Sequence, residues 1–185
     1  MTPTRLLGMG LAGLSAVTTL MAAGPASSTE FGTHALPVPV VQTCTGILNE
    51  TFTPGLNSTL RQVTAEGSGE LTSCLPFGDP LPASGRVTST MSGVMSCTGG
   101  TRTRSTTITW DDGGSSTLEE SGGVEIPAGG GRTAVFRGKI LSGRFAGATT
   151  VTTRTLSPLP SPQCETEEGR TEISGPLTVE ITHLP

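Results

Sequence analysis

The spacing of the four cysteines in this chain helps to decide between a metal site and disulfides. Cys44, Cys74, Cys97 and Cys164 stand far apart in the 185 residues, and no C-x-x-C pair occurs. Structural zinc sites usually draw on closely paired ligands, so this spacing favours disulfides over a metal site. Four cysteines permit three pairings. The order of the chain favours Cys44–Cys74 with Cys97–Cys164, and the other two pairings stay open at this point.

Histidines and nucleophiles form no recognisable catalytic set. Serine and threonine are abundant, but nucleophilic catalysis needs a base beside the nucleophile and a group that orients the base. The two histidines, His34 and His183, lie towards the extremes of the chain, and no G-x-S-x-G sequence occurs. We therefore expect no hydrolytic triad.

Carboxylates offer the remaining route to catalysis. Asp111-Asp112 falls in a turn sequence, Glu119-Glu120 falls within a predicted strand, and a glutamate-rich segment (165–168) follows Cys164. A glycosidase sets two carboxyl groups across a substrate cleft, and one Trp, five Phe and no Tyr leave little to line such a cleft. The segment 165–168 is predicted to be a solvated loop, with weak calcium binding as the alternative. We expect a non-enzymatic protein without metal or cofactor.

Trp110 is the single side chain with the greatest range of uses. It could anchor a sugar or a protein partner at the end of a strand. However, Thr106, Ile108 and Trp110 alternate on one face of a predicted strand, which favours a place in the core or at its edge. We predict the core position and keep binding as the alternative.

A leader sequence precedes the first cysteine. Arg5 is followed by an apolar or small stretch from Leu6 to Met21, and then by small residues from Ala22 to Ser28. This order is typical of a secretory signal peptide with its cleavage region. We expect residues 1–28 to be removed and the mature protein to be secreted into an oxidising compartment, where disulfides persist.

The mature chain has the length of one domain. Residues 29–40 are predicted to be a flexible arm, and residues 41–185 a single disulfide-stapled β domain. No second apolar run occurs that would hold the mature form in a membrane. The formal net charge of −4 gives no electrostatic footprint for nucleic acid or for an anionic membrane.

Composition and patterning both predict an all-β fold. The mature part is rich in Thr, Ser and Val, and the chain has 26 Gly and 14 Pro, a mixture that favours many short strands joined by turns. The β-rich runs are Cys44 to Phe52, Arg86 to Cys97, Arg104 to Trp110, Ser115 to Ile126, Arg132 to Leu141, Arg144 to Thr155 and Leu177 to Ile181. The turn sequences between them include Asp111 to Gly114, Pro127 to Gly131 and Ser142-Gly143.

Consecutive hairpins of this kind build an antiparallel meander. Such a meander closes most simply as an up-and-down barrel, in which the last run pairs with the first. A two-sheet sandwich has the same local signals and is the alternative.

Leu141 interrupts the alternation of its run. It follows Ile140 directly, so two large apolar residues stand side by side, and Gly138 and Gly143 flank the pair. This pattern predicts a bulge or a corner.

Several short phrases resemble a group of small secreted four-cysteine β proteins of unknown function from filamentous high-GC Gram-positive bacteria. The phrases are Cys44-Thr45-Gly46, Pro54-Gly55-Leu56, Ser96-Cys97, Ile108-Thr109-Trp110 and the run from Gly138 to Gly147. The resemblance implies a secreted disulfide-bonded β domain. It implies no activity, ligand or catalytic residue.

The function that these features favour is binding outside the cell. We expect an extracellular or cell-wall-associated binding module, which uses a barrel mouth or an exposed loop to hold an unknown ligand or protein. The alternative is an inhibitor of secreted proteases, which would present a rigid loop at Leu75 to Pro82 or Leu156 to Pro162. An enzyme is the third hypothesis.

Overall fold

A computed structural model describes residues 40–76, 81–128, 131–156 and 162–183. The predicted signal peptide and residues 29–39 of the predicted arm lie outside these ranges. The described residues form eight strands and one short 3-10 turn at Pro162–Glu165. The strands are β1 Val40–Leu56, β2 Arg61–Leu75, β3 Gly85–Ser96, β4 Gly99–Trp110, β5 Ser115–Ala128, β6 Gly131–Gly143, β7 Thr149–Leu156 and β8 Arg170–His183.

The eight strands form a closed barrel in chain order, and every neighbouring pair is antiparallel. The last strand closes the sheet on the first, with Val40 opposite His183 and Thr51 opposite Glu172. The all-β meander predicted from the sequence is confirmed, and the barrel is correct where the sandwich is not. Among the described residues, no helix has the length and apolar character to span a bilayer.

Alternation along each strand decides which side chains fill the barrel. In β4, Thr106, Ile108 and Trp110 are buried, while Thr103, Ser105 and Thr109 between and beside them are exposed. An eight-stranded barrel has an interior just wide enough for side chains to fill. Buried apolar residues of the seven other strands pack into two clusters, whereas the buried residues of β7 are Thr150, Thr152 and Arg154.

The two clusters occupy the two ends of the barrel interior. The Trp110 cluster includes Leu48, Leu71, Val87, Ile108, Trp110, Leu118, Ile140, Leu177 and Ile181. The Phe136 cluster includes Phe52, Leu56, Val63, Ala65, Met91, Met95, Ala134, Phe136 and Ile173.

Two disulfides brace the barrel, in the pairing that chain order favoured. Cys44–Cys74 joins opposite residues of β1 and β2. Cys97–Cys164 joins the β3–β4 turn to the 3-10 turn. At the same end, the Ser58 amide donates to the Cys164 carbonyl at 2.9 Å, and the Cys97 amide donates to the Asn57 carbonyl at 2.8 Å. Three separate chain segments thus close the end of the barrel that holds the Phe136 cluster.

The turns agree with the sequence in one place and correct it in another. Asp111 to Gly114 is a turn, with the Trp110 amide bonded to the Gly114 carbonyl at 2.8 Å. The predicted turn at Ser142-Gly143 is wrong by a few residues, because β6 continues to Gly143 and residues 144–147 make the turn. Phe145 adopts a φ of 62° there. This left-handed conformation is uncommon for residues other than glycine, so the sequence does not predict it.

One further strand boundary and one whole strand differ from the expectation. β5 runs past Ile126 through Pro127 to Ala128, because the β5–β6 hairpin pairs as far as Ala128 opposite Gly131. β2 had no assigned run in the sequence, since its glycines and glutamates interrupt the apolar pattern.

Candidate functional site

The acidic residues that the sequence singled out have structural partners. The Asp111 carboxylate accepts from the Ala83 and Ser84 amides at 3.2 and 3.1 Å, so it fastens the chain before β3 to the β4–β5 turn. Asp112 pairs with Arg144 across the barrel end. The glutamates of 165–168 are exposed. In the described part of the chain, no group of three or more His, Cys, Asp or Glu side chains is placed to hold a metal ion.

The two histidines are not brought to a shared site by any described contact. His34 lies outside the described residues, and His183 is the last residue of β8. The side chains of both histidines therefore lie outside the part of the chain that the structure describes.

Trp110 lies in the core. Its side chain is 2% exposed and packs edge-on against Phe145, with ring centroids 5.8 Å apart. Its Nε1 donates to the Ser116 hydroxyl at 2.8 Å, so the one polar atom of the indole is satisfied inside the barrel. The residue offers a ligand almost no surface.

Charged residues occupy the barrel interior, and sequence reasoning missed them. Glu50, Arg104, Glu120 and Arg154 form an inner charge cluster beside the Phe136 cluster, and all four are buried. Arg154 pairs with Glu50 and donates to the Leu48 carbonyl at 3.0 Å. Arg104 lies between two carboxylates, 3.8 Å from Glu50 and 3.8 Å from Glu120.

Further contacts hold the inner charge cluster in place. Glu120 accepts from the Thr152 hydroxyl at 2.5 Å and from Thr150 at 3.3 Å. The guanidinium of Arg104 lies 4.7 Å from the ring centroid of Phe136, a cation–π distance. Burial lowers the pKa of Arg154, while the carboxylate of Glu50 acts in the opposite direction. Buried charges are costly unless paired, so the cluster depends on all of its members.

A signal for this cluster was present in the alternation. Arg102 and Arg104 share a strand face with Ile108 and Trp110, and Glu50 lies between the inward residues Leu48 and Phe52. Extending the inward face through charged residues would have found them, but a charged residue is almost never fully buried unless it is paired.

The filled interior moves the search for a ligand site to the outside of the barrel. At the Phe136 end, the described side chains leave a cavity of only about 40 Å³. A drug-sized ligand needs a cleft of about 300–1,000 Å³. Among the described residues, the barrel interior at this end therefore has no room for such a ligand.

An open groove of about 780 Å³ crosses the outer face of the sheet from β2 to β6. Strand register arranges its exposed side chains in two rows, each with one residue from every strand. The first row is Glu66, Thr90, Ser105, Glu119 and Lys139, and the second is Thr64, Ser92, Thr103, Ser121 and Arg137. With strands about 4.8 Å apart, each row is about 19 Å long.

The bulge predicted at Leu141 lies at the β6 end of this groove. Thr117 pairs with Ser142 and Leu118 with Ile140, so Leu141 is the unpaired extra residue. A bulge redirects a side chain, and Leu141 is 56% exposed and lines the groove. Among the described residues, neither Lys139 nor Arg137 beside it makes an ion pair or a side-chain hydrogen bond.

Comparison of the chain with family models, with curated proteins and with solved structures gives no match.

Proposed function

We propose that this protein is a secreted, non-enzymatic binding module that holds an extended polar polymer of the cell wall or the extracellular space in its outer groove. The observation that carries the proposal is the groove itself. Two rows of mainly hydroxyl-bearing side chains end at an apolar residue that a bulge turns outwards.

The chemistry of the groove suits a polysaccharide. Serine and threonine hydroxyls both donate and accept hydrogen bonds, as sugar hydroxyls do. Thr90, Ser105, Ser92 and Thr103 lie on the adjacent strands β3 and β4, and in the first row they are flanked by Glu66 and Glu119. Leu141 supplies an apolar contact, and its neighbours Lys139 and Arg137 are available for polar groups of the partner.

Export supports the same function. The leader pattern of residues 1–28 and the resemblance to secreted bacterial β proteins both favour release from the cell. Two disulfides among the described residues are compatible with that compartment. Neither nucleic acid nor a membrane is proposed as a partner of the mature form.

Retention on insoluble polymers tests the proposal. Purified mature protein is mixed with Gram-positive wall sacculi and with chitin, and the bound fraction is measured after sedimentation. We expect retention on at least one polymer. Release from both would contradict the proposal, and turnover of either polymer would replace it with an enzyme.

A matched pair of variants locates the contact. Leu141→Ser removes the apolar end of the groove and is expected to lower retention about tenfold, the loss of one anchoring contact. Ile47→Ser is the control, because Ile47 is also 56% exposed but does not line the groove. Equal retention by the two variants would place the binding surface elsewhere.

Protease inhibition is the second candidate, and one observation favours it. Leu75 is exposed directly after the disulfide-bonded Cys74, and Gln42 holds the ends of the following loop by donating to the Pro76 and Pro82 carbonyls at 3.2 and 2.8 Å. Residues 77–80 of this loop and residues 157–161 of the other predicted loop lie outside the described ranges. Stoichiometric inhibition of subtilisin or chymotrypsin would favour this function over polymer binding.

A further inference from the structure

The outer groove has a defined direction relative to the strands. Its floor lies between the first row and the second row, and each strand from β2 to β6 contributes one residue to it. The floor residues are Ala65, Met91, Arg104, Glu120 and Gly138. Each lies opposite the next in the register of the sheet, and these positions face the barrel interior. The groove is therefore a furrow floored by backbone, which crosses the strands rather than following one of them.

The furrow has the dimensions of a narrow linear ligand. Residues two apart on a strand are separated by about 7 Å, so the two rows stand about 7 Å apart along a floor of about 19 Å. All ten side chains of the two rows are exposed, and six of them are serine or threonine. A chain of single rings lying in the furrow therefore meets hydrogen-bonding groups along both of its edges.

A peptide would find no main-chain partner in this furrow. An extended peptide commonly binds a sheet by adding a strand to an exposed edge, whereas the eight described strands close into a barrel. Each strand of the floor is paired on both sides, so its backbone groups are bonded within the sheet. Hydrogen bonding to a ligand falls to the side chains of the two rows. Their hydroxyls both donate and accept, which matches the hydroxyls of a sugar.

The charges of the furrow balance. In the described part of the chain, its charged lining residues are Glu66, Glu119, Glu120, Arg104, Arg137 and Lys139. Three carboxylates thus stand with three cations. The exposed four, which are two glutamates, one lysine and one arginine, balance by themselves as well. A cleft attracts a charged polymer when its own charges are of the opposite sign, so this lining favours neither a polyanion nor a polycation.

We infer that the groove binds an uncharged glycan chain, laid across the strands with about one sugar ring for each of the five strands. This substrate class rests on the polymer binding proposed above. Successive rings of an extended β-linked glycan advance by nearly the spacing of neighbouring strands, about 4.8 Å. Ring and strand therefore stay in step along the furrow, and each ring meets one residue of the first row and one of the second.

Four insoluble polymers of different charge test the substrate class. Chitin and cellulose are uncharged, chitosan is the cationic, deacetylated form of chitin, and cross-linked pectate is a polyanion. We expect the mature protein to sediment with chitin or cellulose about tenfold better than with either charged polymer, and salt should change this retention by less than about twofold. Equal or stronger retention on a charged polymer, or retention on wall sacculi alone, would overturn the inference and leave the proposed function intact. Release from every polymer, sacculi included, would contradict the proposed function itself.

Chain length tests the direction of the ligand. Soluble oligomers of the retained polymer compete for the protein, and their length is increased one sugar at a time. We expect competition to strengthen with each added sugar until about five, the number of strands that the furrow crosses, and then to level off. Competition that is already complete with a disaccharide would mean that the ligand does not cross the strands.

Two threonines of β3 provide a matched pair of variants. Thr90 stands in the first row, and Thr88 is also exposed but does not line the groove. Thr90→Arg places a long side chain in the furrow and should lower retention on the uncharged polymer about tenfold. Thr88→Arg adds the same charge to the same strand and should leave retention unchanged, and circular dichroism melting checks that both variants fold. A Thr90→Arg protein that binds as well as Thr88→Arg would overturn the inference.

Discussion

Arg154 is the residue on which the inner charge cluster depends most. It is 1% exposed and pairs with Glu50, which also faces Arg104 at 3.8 Å. Removing one member of a buried ion pair leaves the other charge without compensation, whereas replacing both by apolar residues can be nearly neutral.

The Arg154→Met variant is therefore expected to lower the free energy of unfolding by about 3–5 kcal/mol, measured by urea denaturation. The double variant Glu50→Leu with Arg154→Met should lose less than the single one, because no carboxylate stays buried alone. A double variant less stable than Arg154→Met would show that the pair does more than balance charge.

Trp110 contributes through both packing and one hydrogen bond. Trp110→Ala is expected to cost about 3–5 kcal/mol because it leaves a large cavity. Trp110→Phe loses the bond to Ser116 but keeps most of the ring volume, so it should cost about 1–2 kcal/mol. Circular dichroism melting compares the two. An unchanged Tm in Trp110→Ala would contradict the core role of Trp110 and favour a role in binding.

At the scale of the strands, Gly138 sets how closely β5 and β6 approach. A Cβ atom built there would lie 2.0 Å from the Glu119 carbonyl oxygen, a backbone atom of the neighbouring strand. The strands would have to separate beside Glu120 of the inner charge cluster. A side chain at this position therefore disturbs both the sheet and the charges.

Gly138→Ala is expected to lower stability by about 1–3 kcal/mol or more through overpacking. Ser142→Ala on the same strand is the control, because Ser142 is exposed and should change stability by less than about 0.5 kcal/mol. Thermal melting measures both, and equal values would mean that the backbone yields without cost.

Strand by strand, the sequence predicted what local patterns determine. Alternation placed Ile108 and Trp110 inwards, and the doubled apolar pair at Ile140-Leu141 located the bulge. The sequence did not predict β2, because glycines interrupt its apolar alternation. It also did not predict the turn at Phe145, because no residue type at that position indicates a left-handed backbone. The inner charge cluster and the two outer rows depend on how different strands pair. The register of that pairing cannot be predicted from the sequence of one strand alone.

For the whole molecule, the two disulfides differ in how much chain they close. Cys44–Cys74 spans 30 residues and Cys97–Cys164 spans 67. A chain-entropy treatment gives stabilisation of about 3.6 kcal/mol for the shorter loop and about 4.4 kcal/mol for the longer one.

Replacing both cysteines of a pair by serine tests this difference. The Cys97→Ser, Cys164→Ser variant is expected to lose more stability in urea than the Cys44→Ser, Cys74→Ser variant, which is its matched control. It also releases the segments that close the Phe136 end. The opposite order would mean that strain or unfolded-state structure outweighs loop length.

The pairing of β1 with β8 has a consequence for how the chain could be rewired. Val40 lies directly opposite His183, so a short peptide linker can join these two positions across a single strand spacing. New termini opened in the exposed Asp111 to Gly114 turn then start the chain at β5 and keep all eight strand pairings. Each strand of the barrel pairs with its neighbours in chain order, and the last strand pairs with the first. Circular permutation therefore changes which strand is synthesised first but not which strands pair.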